Sequence, residues 1–232
     1  MKVKFRRLSL EMIEASDQLQ HWINQFRPEQ RTIAIELLLK LRFVSRDTYS
    51  EWLKTKLSEI EPGICAVYAV SKIDNSYNCL WDENGNTIRR PSHSLGSEDL
   101  VNSVVANLKR GNAWYLDHAG LPELRRLRVR NVVLIDDSMG SGQRVASYIG
   151  LAMNNKTFQS WWSFGWIQLL VITFCTTAEG KQFVTRSTPG SDHAVRKFPR
   201  SKKIDFHGHY VLNQDLSERW GSQYHKILAD RT

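Results

Sequence analysis

Residues 132–144, VVLIDDSMGSGQR, limit the fold more than any other part of the chain. Four apolar residues without polar alternation read as a strand buried on both faces, the pattern of a parallel sheet. Two carboxylates, Asp136 and Asp137, then stand side by side where that strand must leave the core. Ser138, Gly140, Ser141 and Gly142 follow as a turn of small side chains, and Gln143–Met153 reads as a helix. Strand, glycine-rich turn and helix in that order begin a βαβ crossover, and open parallel sheets bind ligands beyond the carboxyl ends of their strands. The unusual chemistry of this segment therefore falls where such a sheet places a site.

The flanking sequence supports the same architecture. Residues 64–70 (ICAVYAV) and 168–173 (QLLVIT) are further buried-strand patterns, and 206–212 (FHGHYVL) reads as a last strand. Helical patterns lie between them. Ser97 is placed to cap a helix that Lys109 and Arg110 end and Gly111 closes, and 178–184 begins another. Asn84-Gly85 marks a tight turn between two short runs. Before the first strand the pattern is helical. Residues 29–43 carry Ile33, Leu37, Leu38 and Leu41 at helical spacing behind Pro28. A second helix is expected from Asp47, with Tyr49, Trp52, Leu53, Leu57 and Ile60 on one stripe, stopped by Pro62-Gly63. Asp215 is placed to cap a closing helix containing Trp220 and Leu228. The expectation is an α/β protein with a doubly wound, mainly parallel sheet over 63–232 and a helical N-terminal extension over 1–62.

Composition narrows the class of protein. With 41% hydrophobic and 24% charged residues in 232, the chain has the balance of a globular protein with a sizeable core. Nothing in it approaches the ~18 uninterrupted apolar residues of a bilayer span, and the basic start lacks the apolar stretch of a signal peptide, so a cytoplasmic protein without membrane contact is expected. Cys65, Cys79 and Cys175 have no metal-type spacing and read as reduced structural thiols. The net charge of +8 attracts polyanions over long range. Part of it gathers in RKFPRSKK, where Arg196, Lys197, Arg200, Lys202 and Lys203 make a candidate nucleic-acid contact with Phe198 available to stack; a solvated basic loop is the simpler reading.

The chemistry of residues 136–143 is specific. Glycines let successive backbone N–H groups converge on a phosphate, and the helix that follows adds its positive end to the same anion. Carboxylates repel phosphate, but they accept hydrogen bonds from neighbouring sugar hydroxyls or hold a Mg²⁺ that carries a pyrophosphate. Two acids beside a phosphate cradle thus describe a ribose 5-phosphate site. A strand–turn–helix whose Asp137 or Ser138 merely caps the helix explains the same residues without a ligand. A Walker B strand also ends in acids, but no GxxxxGK[ST] accompanies this one.

Here the chain resembles the type I phosphoribosyltransferases, whose signature is a hydrophobic strand, paired acids and a short Thr/Ser/Gly loop. The resemblance implies that Asp136 and Asp137 take the ribose hydroxyls, with Mg²⁺ as cofactor, and that Ser138, Met139, Gly140, Ser141, Gly142 and Gln143 cradle the 5-phosphate of phosphoribosyl pyrophosphate or a nucleotide. The family usually has Thr where Gly140 stands and a small residue or Thr near Arg144, whose cation is a further candidate for binding the phosphate or else points away. The loop after the first strand, which holds pyrophosphate in the family, here offers Lys72 and no glycine pair. The form DDSMGSGQ with its helical lead-in is similar to a divergent subgroup from bacterial conflict systems, including effectors encoded beside retron reverse transcriptases. That likeness implies an anti-phage role and a reverse transcriptase with its DNA product, or another defence subunit, as partner; a homo-oligomer is compatible with it.

Three function classes follow: an enzyme or toxin acting on an N-glycosidic bond, a sensor that keeps the pocket without the chemistry, and a subunit of a nucleic-acid complex. Other candidates have plainer readings. His193, His207 and His209 lack a carboxylate or cysteine at ligand spacing and read as rim histidines. Asp117 and His118 suggest a proton-transfer pair, but adjacent residues rarely face each other. Trp161, Trp162 and Trp166 read as core or interface sooner than as a nucleobase platform.

Overall fold

The computed structural model describes residues 5–60, 63–72, 74, 76–88, 97–188 and 204–212. The basic run holding Arg196, Lys197, Arg200, Lys202 and Lys203, together with His193 and the helix expected from Asp215, lies outside them. The chain divides into two compact units, whose described parts are residues 5–55 and 56–212.

The first unit is helical. Helices α1 (Leu10–Glu14) and α2 (Asp17–Ile23) start at Ser9 and Ser16, whose hydroxyls accept from the Met12 and Leu19 N–H groups. A single 3₁₀ turn at Pro28–Gln30 leads into α3 (Arg31–Lys40). Ile13, Ile23 and Leu38 form the small core. Helix α3 stops short of the expected residue 43, because Leu41 turns extended and Phe43 forms an antiparallel bridge with Arg6. The next helix, α4 (Arg46–Ser58), is capped by Ser45, whose hydroxyl accepts from the Thr48 N–H at 3.1 Å. Asp47 lies inside it.

The second unit is built on a five-stranded parallel sheet, in the order β2-β1-β3-β4-β5. Its elements are β1 (Cys65–Ala69), α5 (Ser97–Gly111), β2 (Tyr115–Asp117), α6 (Leu121–Arg126), β3 (Asn131–Met139), α7 (Gln143–Met153), α8 (Lys156–Ser163), β4 (Gln168–Thr177), α9 (Ala178–Ser187) and β5 (Asp205–Leu212). Strand β1 is buried throughout, as its unbroken apolar run requires. Alternation along the strands assigns the two faces. Ala66, Tyr68, Val132 and Leu134 share one core with Tyr148, Ile149, Phe158 and Trp162 of α7 and α8, while α5 packs against β1, β2 and β3 without joining that core. Crossovers of one hand put helices on opposite faces only when the chain winds outward in two directions. It does so here, from β1 to β2 on one side and from β3 to β5 on the other. The reversal falls between β1 and β3, and such a switch point opens a crevice at the carboxyl ends of the strands. The sheet is the α/β architecture expected from the sequence, with β2, α6 and α8 in addition. No helix of the described residues is long and apolar enough to cross a membrane.

Candidate functional site

Strand β3 carries Asp136 and Asp137 to the carboxyl edge of the sheet, beside the end of β1. Their environments differ. Asp136 points into the protein with a side chain 2% exposed, whereas Asp137 stays at the rim, 30% exposed. Arg144, on the first turn of α7, closes over both. Its Nε donates to Asp136 Oδ2 at 3.0 Å and its Nη2 to Asp136 Oδ1 at 2.5 Å and Asp137 Oδ1 at 3.1 Å. The Asp137 backbone N–H adds a further bond to Asp136 Oδ1 at 2.9 Å. Burial is the largest influence on Asp136 and pushes its carboxyl up to about 7; Asp137 adds to the rise and Arg144 opposes it. Asp136 therefore titrates near neutrality inside the clamp.

Three residues, Gly140, Ser141 and Gly142, connect β3 to α7. Gly142 has φ 78°, a left-handed conformation that glycine adopts without strain. A Cβ there would strike the Gly180 carbonyl oxygen, and one on Gly180 would strike the Gly140 carbonyl oxygen. The two turns at the ends of β3 and β4 thus meet backbone to backbone. Thr177 locks them, its hydroxyl donating to the Gly140 carbonyl at 2.5 Å and accepting from the Gly180 N–H at 2.9 Å. The backbone N–H groups of Gly140, Ser141 and Gly142 find no acceptor among the described residues, and α7 starts without a side-chain cap. Ser141 Oγ accepts weakly from the Gln143 N–H at 3.4 Å. A short turn of unengaged amides at the positive end of an 11-residue helix can hold an anion.

The crevice at the switch point is a cavity of about 640 Å³. Ser71, Lys72, Asp74 and Tyr77 line it from the segment after β1, and Gln143, Arg144, Ser147 and Asn154 from α7. Three residues proposed from the sequence, Lys72, Gln143 and Arg144, therefore share one cavity. Gly140 and Ser141 are exposed beside the helix start, and Ser138 is exposed on β3 opposite Cys175. Met139 differs: its side chain is in the hydrophobic core, which leaves only its backbone to a ligand. Sequence reasoning placed Ser71 and Asp74 in the loop after β1 but singled out only Lys72 there, and it missed Tyr77, Ser147 and Asn154. Ser147 had a signal, since it lies one turn beyond Gln143 on the same helical face.

A model of the PRTase-CE family matches residues 19–227. The chain belongs to the PRTase-CE family, a phosphoribosyltransferase-like family. No curated protein matches it. The match runs through both compact units, so the PRTase-CE pattern includes helices of the first unit as well as the sheet.

Two other candidates are also placed. Asp117 and His118 do face each other: His118 has φ 50°, and its Nδ1 lies 2.5 Å from Asp117 Oδ1. Its Nε2 accepts from the Ala69 N–H at 3.1 Å, so Nδ1 carries the proton toward Asp117. The ring extends the β1 ladder beyond the last residue of β2, which is a structural use. His209 lies against Phe174 and Tyr210, with ring centroids at 5.2 and 4.4 Å, and burial lowers its pKa. No group of three or more metal-ligating side chains occurs among the described residues. For a Mg²⁺ arriving with a pyrophosphate, Asp137 fits as a rim ligand. Asp136 does not, being buried under three hydrogen bonds from Arg144 and the backbone.

Proposed function

We propose that this PRTase-CE protein binds a ribose 5-phosphate compound, phosphoribosyl pyrophosphate or a nucleotide, in the crevice between the ends of β1 and β3. One observation carries the reading. The turn of unengaged amides leads straight into Gln143 and Arg144 at the start of α7, Arg144 binds the rim carboxylate of Asp137, and both Gln143 and Arg144 line the cavity with Lys72 beside the switch point of the sheet. In this reading the amides of Gly140 to Gly142 take the 5-phosphate, and Asp137 accepts hydrogen bonds from the ribose hydroxyls. Asp136 positions the clamp through Arg144. Lys72 faces a pyrophosphate, and Mg²⁺, held by that pyrophosphate with Asp137, would neutralise its charge. If transfer occurs, an acceptor nitrogen bonds to C1 of the ribose as the C1–O bond to pyrophosphate breaks.

A second reading, binding without turnover, is favoured by the Arg144 clamp, which already engages both carboxylates. The setting in anti-phage defence, as an effector beside a reverse transcriptase or as one subunit of its complex, rests on the sequence resemblance. A defence gene next to this one would support it, and an unrelated metabolic operon would count against it.

Calorimetric titration of phosphoribosyl pyrophosphate with Mg²⁺ into wild type, Asp137→Asn and Lys72→Ala tests the binding. Saturable heat from wild type, reduced about tenfold or more in affinity by either change, is expected. Folded wild type that gives no heat would sink the reading. Release of pyrophosphate in the presence of candidate bases then separates the enzyme from the sensor.

A further inference from the structure

The amino edge of the same sheet holds a larger groove, of about 1210 Å³, formed by α6, the start of α8 and the turns entering β3 and β4. It exceeds the roughly 300–1,000 Å³ of ordinary small-molecule pockets. Its floor is apolar, with Leu124, Val129 and Ile167, and its walls carry charge and aromatic rings. Arg125, Arg126 and Arg128 line one side and are exposed. Trp161 and Trp166 line another. Trp166 is 62% exposed, as is Phe164, and the two rings are stacked with centroids 5.5 Å apart.

We infer that this groove binds a single strand of nucleic acid, with bases on Trp166, which Phe164 backs, and phosphates on the arginines. Four observations converge. Large aromatic rings stacked in the open hold no core together, yet they offer the π-faces on which unpaired bases stack. Guanidinium groups beside them suit phosphates, which they grip bidentately. The groove's carboxylates, Asp82 and Glu83, both come from one turn, and Asp82 already accepts the Asn86 N–H at 2.8 Å and the Asn86 amide at 3.2 Å. The strand therefore runs along the arginine side.

The fourth observation concerns Arg128. Helix α6 ends with the Val129 N–H on the Leu124 carbonyl at 3.0 Å, a closure that puts residue 128 in the left-handed region, with φ 49°. Glycine is the residue that adopts this conformation without strain. An arginine there holds a cation at the groove despite a conformational cost, as residues kept for function do.

Fluorescence anisotropy with a labelled oligothymidylate of about 20 nucleotides, at several salt concentrations, tests the inference. Wild type should bind with affinity that falls steeply as salt rises. Arg125→Glu with Arg128→Glu should weaken binding at least tenfold and flatten the salt dependence, because two phosphate contacts are lost. Trp166→Ala should weaken binding about tenfold with the salt dependence unchanged, and Trp166→Phe should restore most of it. Asp137→Asn should bind the strand like wild type, which separates this surface from the carboxyl-edge site. No strand binding at low salt would overturn the inference. So would binding that both groove variants leave intact, or a preference for duplex over single strand.

Discussion

The two ends of β3 present the same residue types in opposite states. At the carboxyl end, charge is drawn inward: Asp136 is 2% exposed and bound on both oxygens by Arg144. At the amino end, Arg125, Arg128 and Arg130 stand exposed, beside Trp166. A buried charge held by a partner is expensive to disturb, whereas exposed charges contribute little to folding and much to long-range attraction. Changes at the carboxyl end should therefore register in stability, and changes at the amino end in salt-dependent binding.

Gly142→Ala should give the largest effect. It combines a left-handed backbone at φ 78° with a collision against the Gly180 carbonyl, so a loss of about 3 kcal/mol is expected in chemical denaturation. A change below about 0.5 kcal/mol would mean that the two turns do not meet as described. Arg144→Ala comes next. It leaves Asp136 buried without its cation, and since the arginine is one-third exposed and the carboxyl can protonate, about 2 kcal/mol is expected at neutral pH.

The third test is pH. Asp136 has its folded pKa raised from 3.8 to about 7, chiefly by burial. Its contribution to stability is then fully present below about 4, falls as pH rises toward 7 and is level above that. Relative to Asp136→Asn, wild type should lose about 1 kcal/mol per pH unit across that window. A flat difference would show that the arginine outweighs burial. The smallest effects belong to the amino end, where Arg125→Glu should change stability by less than about 0.5 kcal/mol. Arg128→Gly should stabilise by up to about 1 kcal/mol while weakening strand binding.

What could be read in the sequence follows from how local the signals are. The strands read at 64–70, 131–135 and 168–173 announce themselves because a sheet buried on both faces needs continuous apolar runs, whereas the continuation of β3 through Asp136 to Met139 and of β4 to Thr177 carries no such run. Strand β2, at Tyr115–Asp117, is three residues long and half-buried, with no pattern to detect. The acids and the glycine turn were legible for the same local reason. The Arg144 clamp depends on α7 turning a side chain back over β3, and the need for Gly142 and Gly180 arises between turns 38 residues apart, a distance no motif spans. The amino-edge groove is assembled from α6, α8 and the start of β4, so Trp161, Trp162 and Trp166 read alike as core or interface until the fold set Trp162 in the core and Trp161 and Trp166 along the groove.

The most direct test of the central claim follows the backbone amides of Gly140, Ser141 and Gly142 by ¹H–¹⁵N NMR as ribose 5-phosphate is added. Saturable shifts of these three amides and of Arg144 Nε are expected, with the amino edge unmoved. Shifts that spare the turn, or that appear first around Arg125 and Trp166, would contradict that claim.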